Sequence, residues 1–190
     1  MDKTAFILLD IQIETVGMIS HILNTDEYLA KVSSTLTAAR KAGVPIVQVT
    51  TSFRPSYVDT SPRNRMTTHV RDSGKFKESD PFVQLHPTIA KEAADDIYIT
   101  KRRVSALYGN DLDIVLRSSG IEKIVVAGLA TTGAVLSTVR QAADMDYQIT
   151  VIADLCADSS DELHRFAMSK VLSKQASILS AEEWLASLEK

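Results

Sequence analysis

Two residues of opposite charge stand at corresponding places in this chain. Asp10 follows the apolar run Thr4–Leu9 (TAFILL), and Lys101 follows the run Asp96–Thr100 (DIYIT). A carboxylate at the end of a buried strand costs free energy unless it is paired or protonated. Taken singly, Asp10 also reads as a residue opening a solvated loop, and Lys101 as a surface charge. An acid and a base at equivalent strand ends, however, can together move a proton on a bound molecule. A third stretch, Gly128–Val135 (GLATTGAV), leads from an apolar run into a helical pattern. The N–H groups at such a junction can hold an anion, but its two glycines have neither the dinucleotide-binding nor the P-loop spacing.

The elements that must position these residues alternate along the chain. Apolar runs at Thr4–Leu9, Pro45–Thr50, Asp96–Thr100, Lys123–Ala127 and Gln148–Ala153 read as five strands. Helical spacing over Asp26–Ala42, Asp111–Ser118, Val135–Met145 and Ser160–Leu172 supplies the helices between and after them. Thr25 is the expected cap of the first helix and Gly43 its expected end. Between Thr51 and Pro87 lies a polar stretch with four of the five prolines, expected to be a long site loop with one short helix. A short run at Ala176–Leu179 and a helix carrying Trp184 and Leu185 close the chain. Strands apolar throughout and separated by helices predict an α/β fold with a mostly parallel sheet covered on both faces. Ligands then bind beyond the carboxyl ends of the strands. Asp10, Thr50–Arg54, Lys101, Gly128–Ala134 and Asp154–Asp158 are the segments expected to form that rim.

With 190 residues, 45% of them hydrophobic, the chain reads as one domain, 1–190, able to bury a sizeable core. A net charge of −3 gives no reason to expect a nucleic-acid partner. The basic clusters at Arg63, Arg65, Arg71 and at Lys101–Arg103 suit a small anion rather than a polyanion. No apolar run approaches the length of a membrane span, and no signal-peptide pattern opens the chain. The single cysteine, Cys156, excludes an intrachain disulfide, so a cytoplasmic location is expected. His21, His69, His86 and His164 are scattered, and no metal site is expected.

The segments around the three chemical positions resemble motifs of the isochorismatase-like (cysteine hydrolase) family. Leu8-Leu9-Asp10-Ile11-Gln12 is similar to its first-strand aspartate motif, and Lys101-Arg102-Arg103-Val104-Ser105-Ala106-Leu107 to its lysine motif. Gly128-Leu129-Ala130-Thr131-Thr132-Gly133-Ala134-Val135 is similar to the segment that carries its nucleophile. The resemblance runs over essentially the whole chain. It implies a Rossmann-like three-layer α/β/α fold, a dimer or tetramer, and an Asp–Lys–Cys triad. It also implies a cis peptide bond after Leu129, with Leu129, Ala130, Thr131, Thr132 and Gly133 cradling the substrate.

In that alignment the cysteine position falls on Ala134, and a methyl group cannot attack a carbonyl. Cys156 lies one strand over, and cysteine commonly packs as a small apolar residue. The true isochorismatases of the family also lack the cysteine; they cleave a vinyl ether, which needs a proton donor and no nucleophile. The resemblance therefore implies a cofactor-free hydrolase with Asp10 as general acid and Lys101 orienting it and stabilising negative charge. A dianionic substrate such as isochorismate would need arginine partners. Arg54, directly beyond the second strand, and Arg63 are the candidates, with Asn64 and Arg65 behind them. The region Thr51–Arg54 lacks the zinc ligands of nicotinamidases. Two other readings stand beside this one: a non-catalytic protein that binds a small anion on the same fold, and an amide hydrolase.

Overall fold

The computed structural model describes residues 3–188. Six strands form one sheet: β1 (Thr4–Leu9), β2 (Ile46–Thr51), β3 (Ile97–Lys101), β4 (Lys123–Leu129), β5 (Gln148–Ala157) and β6 (Ser177–Leu179). Their spatial order is β3-β2-β1-β4-β5-β6, and every neighbouring pair is parallel. β1 is buried at all its positions because it lies inside the sheet between β2 and β4 and is covered on both faces. Among the described residues, eight α-helices supply the outer layers and the rim: α1 (Ile13–Ile19), α2 (Thr25–Lys41), α3 (Arg65–Ser73), α4 (Pro87–Ala90), α5 (Leu112–Ser118), α6 (Leu136–Asp144), α7 (Asp161–Phe166) and α8 (Ala181–Leu188). The architecture is the expected three-layer α/β/α arrangement. No helix among the described residues is long and apolar enough to cross a membrane.

From β1 the chain builds outward through β2 and β3, then returns to place β4 on the other side of β1. The order reverses at that point, so the crevice that receives ligands opens above the carboxyl ends of β1 and β4. At the ends of these two strands a glycine faces the neighbouring backbone. Gly128, opposite Leu9, has φ +124°, and a Cβ placed on it would lie 2.1 Å from the Leu9 carbonyl oxygen. No side chain fits against backbone at that distance. Gly128→Ala is expected to cost about 3 kcal/mol or more of stability, read as a fall in the thermal midpoint of roughly 10 °C.

Several element ends differ from the sequence expectation, each for a local reason. The cap of α2 is Asn24 rather than Thr25: its side-chain oxygen accepts from the N–H groups of Asp26 at 3.2 Å and Glu27 at 3.4 Å. Gly43 ends that helix as expected, with φ +77° and its N–H on the Arg40 carbonyl. β3 starts one residue late because the Asp96 carboxylate is held by Arg40, at 2.8 and 2.6 Å, and by Gln48 at 2.7 Å. At its other end it runs on to Lys101, which pairs with Thr51 of β2. β4 and β5 are longer than expected, and their register slips between Val126 and Gly128, so β5 bulges and carries on to Ala157. The run at Ala176–Leu179 is a sixth strand, and the expected helix Ser160–Leu172 breaks after Phe166 into a π-turn, Ala167–Val171.

The segment between β2 and β3 is more ordered than a loop. It contains α3, a 3-10 turn at Pro81–Val83 and α4. Two sets of backbone bonds stitch it to the sheet. Phe53 N–H donates to Phe76 O at 2.7 Å and Glu78 N–H to Phe53 O at 2.8 Å. Farther on, Ile13 N–H donates to Gln84 O and His86 N–H to Ile11 O.

Candidate active site

Asp10, Thr51 and Lys101 end three adjacent strands, and their side chains meet. Asp10 has φ +54°, a left-handed conformation that aspartate tolerates better than most residues; its N–H donates to Val49 O at 2.8 Å. Lys101 Nζ lies 2.8 Å from Asp10 Oδ2, with side-chain exposures of 4% and 7%. Thr51 Oγ1 donates to Asp10 Oδ1 at 2.8 Å and accepts from Lys101 Nζ at 2.7 Å. The ammonium has a third partner, Arg103 O, at 3.4 Å. All three protons of Lys101 are thus engaged within the protein, whereas each Asp10 oxygen accepts one of these bonds and keeps acceptor capacity.

Gln12 holds Thr51 in place. Fully buried, its side chain donates to Thr51 O at 2.9 Å and accepts from Thr51 N at 2.8 Å, and it also donates to Val83 O at 2.5 Å. One amide therefore fixes the end of β2 and the 3-10 turn beyond it.

The Asp10–Lys101 pair opens into a cavity of about 500 Å³, the size of a small-molecule site. Met18, Ile19, Phe53, Met66, Val70 and Phe76 give it an apolar roof drawn from α1, the end of β2 and the segment around α3. Leu129, Ala130, Thr132, Gly133 and Ala134 form its floor, where β4 passes through a π-turn, Thr131–Val135, into α6. The Leu129–Ala130 peptide bond is cis. Thr131 is not part of the lining: fully buried, its hydroxyl contacts Ala157 O at 3.1 Å and His164 Nδ1 at 2.8 Å. Ala134 is buried and presents only a methyl group.

The arginines expected from the sequence lie elsewhere. Arg54 is exposed and paired with Asp59 at 3.3 Å, and Arg63 is exposed; neither lines the cavity. Arg102 and Arg103 do. Asp59 and Glu78 neutralise Arg102. Arg103 Nη1 donates to the carbonyls of Asp59, at 3.0 Å, and Arg102, and no carboxylate among the described residues pairs with it. Asn64, the N-cap of α3, lines the cavity, and Arg65 is exposed.

Sequence reasoning placed Thr51 and Asp158 in rim segments without singling them out, because their partners come from distant elements. The buried Asp158 carboxylate accepts from Thr132 N at 2.6 Å, Thr132 Oγ1 at 2.7 Å, Ser159 N at 2.7 Å and Ser159 Oγ at 3.1 Å. Burial alone raises its pKa, but these four bonds outweigh that and hold it below the usual carboxylate range. The stability it contributes is full above the unfolded-state value near pH 4, about where aspartate ordinarily titrates, and is lost as pH falls through the depressed folded value. The acid limb of the thermal-midpoint profile, below about pH 4, is expected to be shallower in Asp158→Asn than in the parent.

Cys156 is outside the cavity lining. Burial pushes its thiol up to about 12, with the Asp154 charge adding to the effect and a bond from the Gly128 backbone opposing it. A buried, protonated thiol is a poor nucleophile. Among the described residues no three His, Cys, Asp or Glu side chains converge to hold a metal ion.

The model of the isochorismatase domain matches residues 4–183. The chain belongs to the isochorismatase family. The isochorismatase-family chain is 26% identical over 185 residues to the uncharacterized isochorismatase family protein YecD of Escherichia coli O157:H7, covering 97% of this chain and 96% of that one. It is 28% identical over 163 residues to the ureidoacrylate amidohydrolase RutB of Methylobacterium radiotolerans, covering 79% of this chain and 63% of that longer protein. Among solved structures, an isochorismatase family protein from Burkholderia thailandensis matches with a TM-score of 0.81 at 26% identity, over 99% of this chain and 96% of that one. The isochorismatase-family relatives thus include a ureidoacrylate amidohydrolase.

Proposed function

We propose that the whole chain, 1–190, is a single hydrolase domain whose chemistry runs through Asp10 without a covalent nucleophile and without a cofactor. The observation that carries this reading is Ala134. It stands at the position where the family motif places cysteine, and it lines the cavity that the Asp10–Lys101 pair opens into. With a methyl there and Cys156 buried and protonated, no thiolate serves the cavity, and water must do the bond breaking. Vinyl-ether hydrolysis of the isochorismate type is the reaction that asks for no more than this. Asp10 delivers a proton to the enol-ether carbon, water adds to the resulting oxocarbenium ion and returns a proton to the Asp10 carboxylate, and the neutral hemiketal collapses to pyruvate and a dihydrodiol.

Lys101 then acts on Asp10 rather than on the substrate, since its three donors are already committed. A substrate carboxylate would be met by Arg103, in place of Arg54 and Arg63. The floor residues Leu129, Ala130, Gly133 and Ala134 supply shape beneath the reacting atoms, the Gly133 N–H being engaged by Ala130 O at 3.0 Å. The similarity to ureidoacrylate amidohydrolase supports a second reading, hydrolysis of a small amide by water activated at Asp10.

Purified protein offered isochorismate is expected to release pyruvate above an Asp10→Asn control. Release of ammonia from ureidoacrylate, with no pyruvate from isochorismate, would replace the vinyl-ether reading by the amide one. Thermal stabilisation by either compound with no turnover would overturn the enzyme reading and leave a binding protein.

A further inference from the structure

The wall beside Ala134 carries an unusual hydrogen-bond inventory. Asp158 lines the cavity together with Thr132 and Ser159, and its carboxylate only accepts. Four donors reach it, two of them the hydroxyls of Thr132 and Ser159. A hydroxyl that gives its proton to a carboxylate has only lone pairs left to offer a ligand. The Thr132 N–H, which in an open turn could hold a substrate anion, is likewise spent on Asp158 at 2.6 Å. The anion in this cradle is the protein's own side chain. No cation among the described residues forms an ion pair with Asp158, so its charge stands uncancelled at the cavity wall.

We propose that Asp158, Thr132 and Ser159 form a subsite that reads a hydrogen-bond donor on the ligand: an ammonium, an amide N–H or a hydroxyl. It rejects carboxylate and phosphate groups. Arg103, elsewhere in the lining and without a carboxylate partner, is the complementary pole and takes a carboxylate. The ligand is thus polar at two points with opposite demands: an acceptor for Arg103 and a donor for the Asp158 wall. The inference deepens the proposed hydrolase reading by naming what its substrate must carry, and it uses the same cavity. Ring hydroxyls on an enol ether and the N–H groups of a small amide both satisfy it; a second carboxylate aimed at this wall does not.

The matched probes are succinamate and succinate, which share one carboxylate and differ only in having an amide or a second carboxylate at the other end. Titrations of the full chain followed by NMR or calorimetry are expected to show succinamate binding about tenfold more tightly than succinate. In Asp158→Asn the preference should disappear or reverse, and Arg103→Ala should weaken both probes alike. Ser159→Ala, which removes one acceptor and leaves the charge, gives a second reading if Asp158→Asn does not fold; it should lower the preference by about threefold.

Equal affinity for the two probes in the parent protein would overturn the proposal. So would an unchanged ratio in a folded Asp158→Asn or Ser159→Ala variant, or no binding of either probe up to about 100 mM. Because the readout is binding, it separates the two readings. Turnover of isochorismate or ureidoacrylate without a donor preference would sink the subsite alone, and a donor preference without turnover would sink the hydrolase alone.

Discussion

Asp10→Asn is expected to lower turnover by about 10³-fold, within the range that a positioned acid or base contributes. Asparagine keeps the shape of the side chain and an oxygen for the Thr51 hydroxyl, but it cannot give up and recover a proton at the cavity. The loss should appear in kcat, with a smaller change in KM, because proton transfer matters in the transition state more than in the bound ground state. Cys156→Ser should retain activity near that of the parent, since the thiol is buried and lies outside the lining. Steady-state rates of the two variants, each checked for folding by its melting curve, make the test. Retention of activity in Asp10→Asn, or its loss in a folded Cys156→Ser, would move the chemistry away from the carboxylate.

Lys101→Met should cost stability on a scale that few single replacements reach. The methionine fills most of the same space, but it leaves Asp10 in a buried setting with no cation. Breaking a buried ion pair from one side typically costs about 3–5 kcal/mol, and for a chain of this size that corresponds to a midpoint lowered by roughly 6–20 °C. The same replacement in an Asp10→Asn background should cost much less, because the orphaned charge is already gone. Denaturant unfolding of the parent, the two single variants and the double variant closes a thermodynamic cycle. Additive effects would mean that the 2.8 Å contact contributes little and that Lys101 stabilises the sheet edge by other means.

The sheet was readable because its strands are apolar along their whole length; burial on both faces imposes that composition whatever the neighbours do. The rim followed from topology, and Asp10, Lys101 and the Gly128–Ala134 turn did come together there. What stayed hidden depended on partners far along the chain. α3 has a polar sequence, RMTTHVRDS, and buries only Thr67, so no apolar stripe announced it. α1 is short, and its N-cap, Gln12, owes its burial to contacts with Thr51 and Val83. Arg54 and Arg63 were credible ligands for an anion because charge is visible in a sequence, while the carboxylate that captures Arg54, Asp59, has nothing in its neighbourhood to mark it. Asp158 was equally silent, since its significance lies in Thr132, on the neighbouring strand-to-helix turn.

The two rows of backbone bonds that stitch the segment after β2 determine how the cavity can admit a molecule. Residues 84–86 are moored to residues 11–13, and Gln12 rivets Val83 to the end of β2. Nearer the sheet, Phe53 is clasped between Phe76 and Glu78. The excursion 54–75 between those ties is braced as well: the Asp59 carboxylate is held by Arg102 at 2.7 Å, its carbonyl accepts from the Arg103 guanidinium, and Lys75 pairs with Glu14 of α1 at 2.5 Å. Met66 and Val70 are thereby carried on the same frame as Met18, Ile19 and Phe53. A molecule meets a roof whose backbone is anchored on both sides, above the Asp10–Thr51–Lys101 triangle.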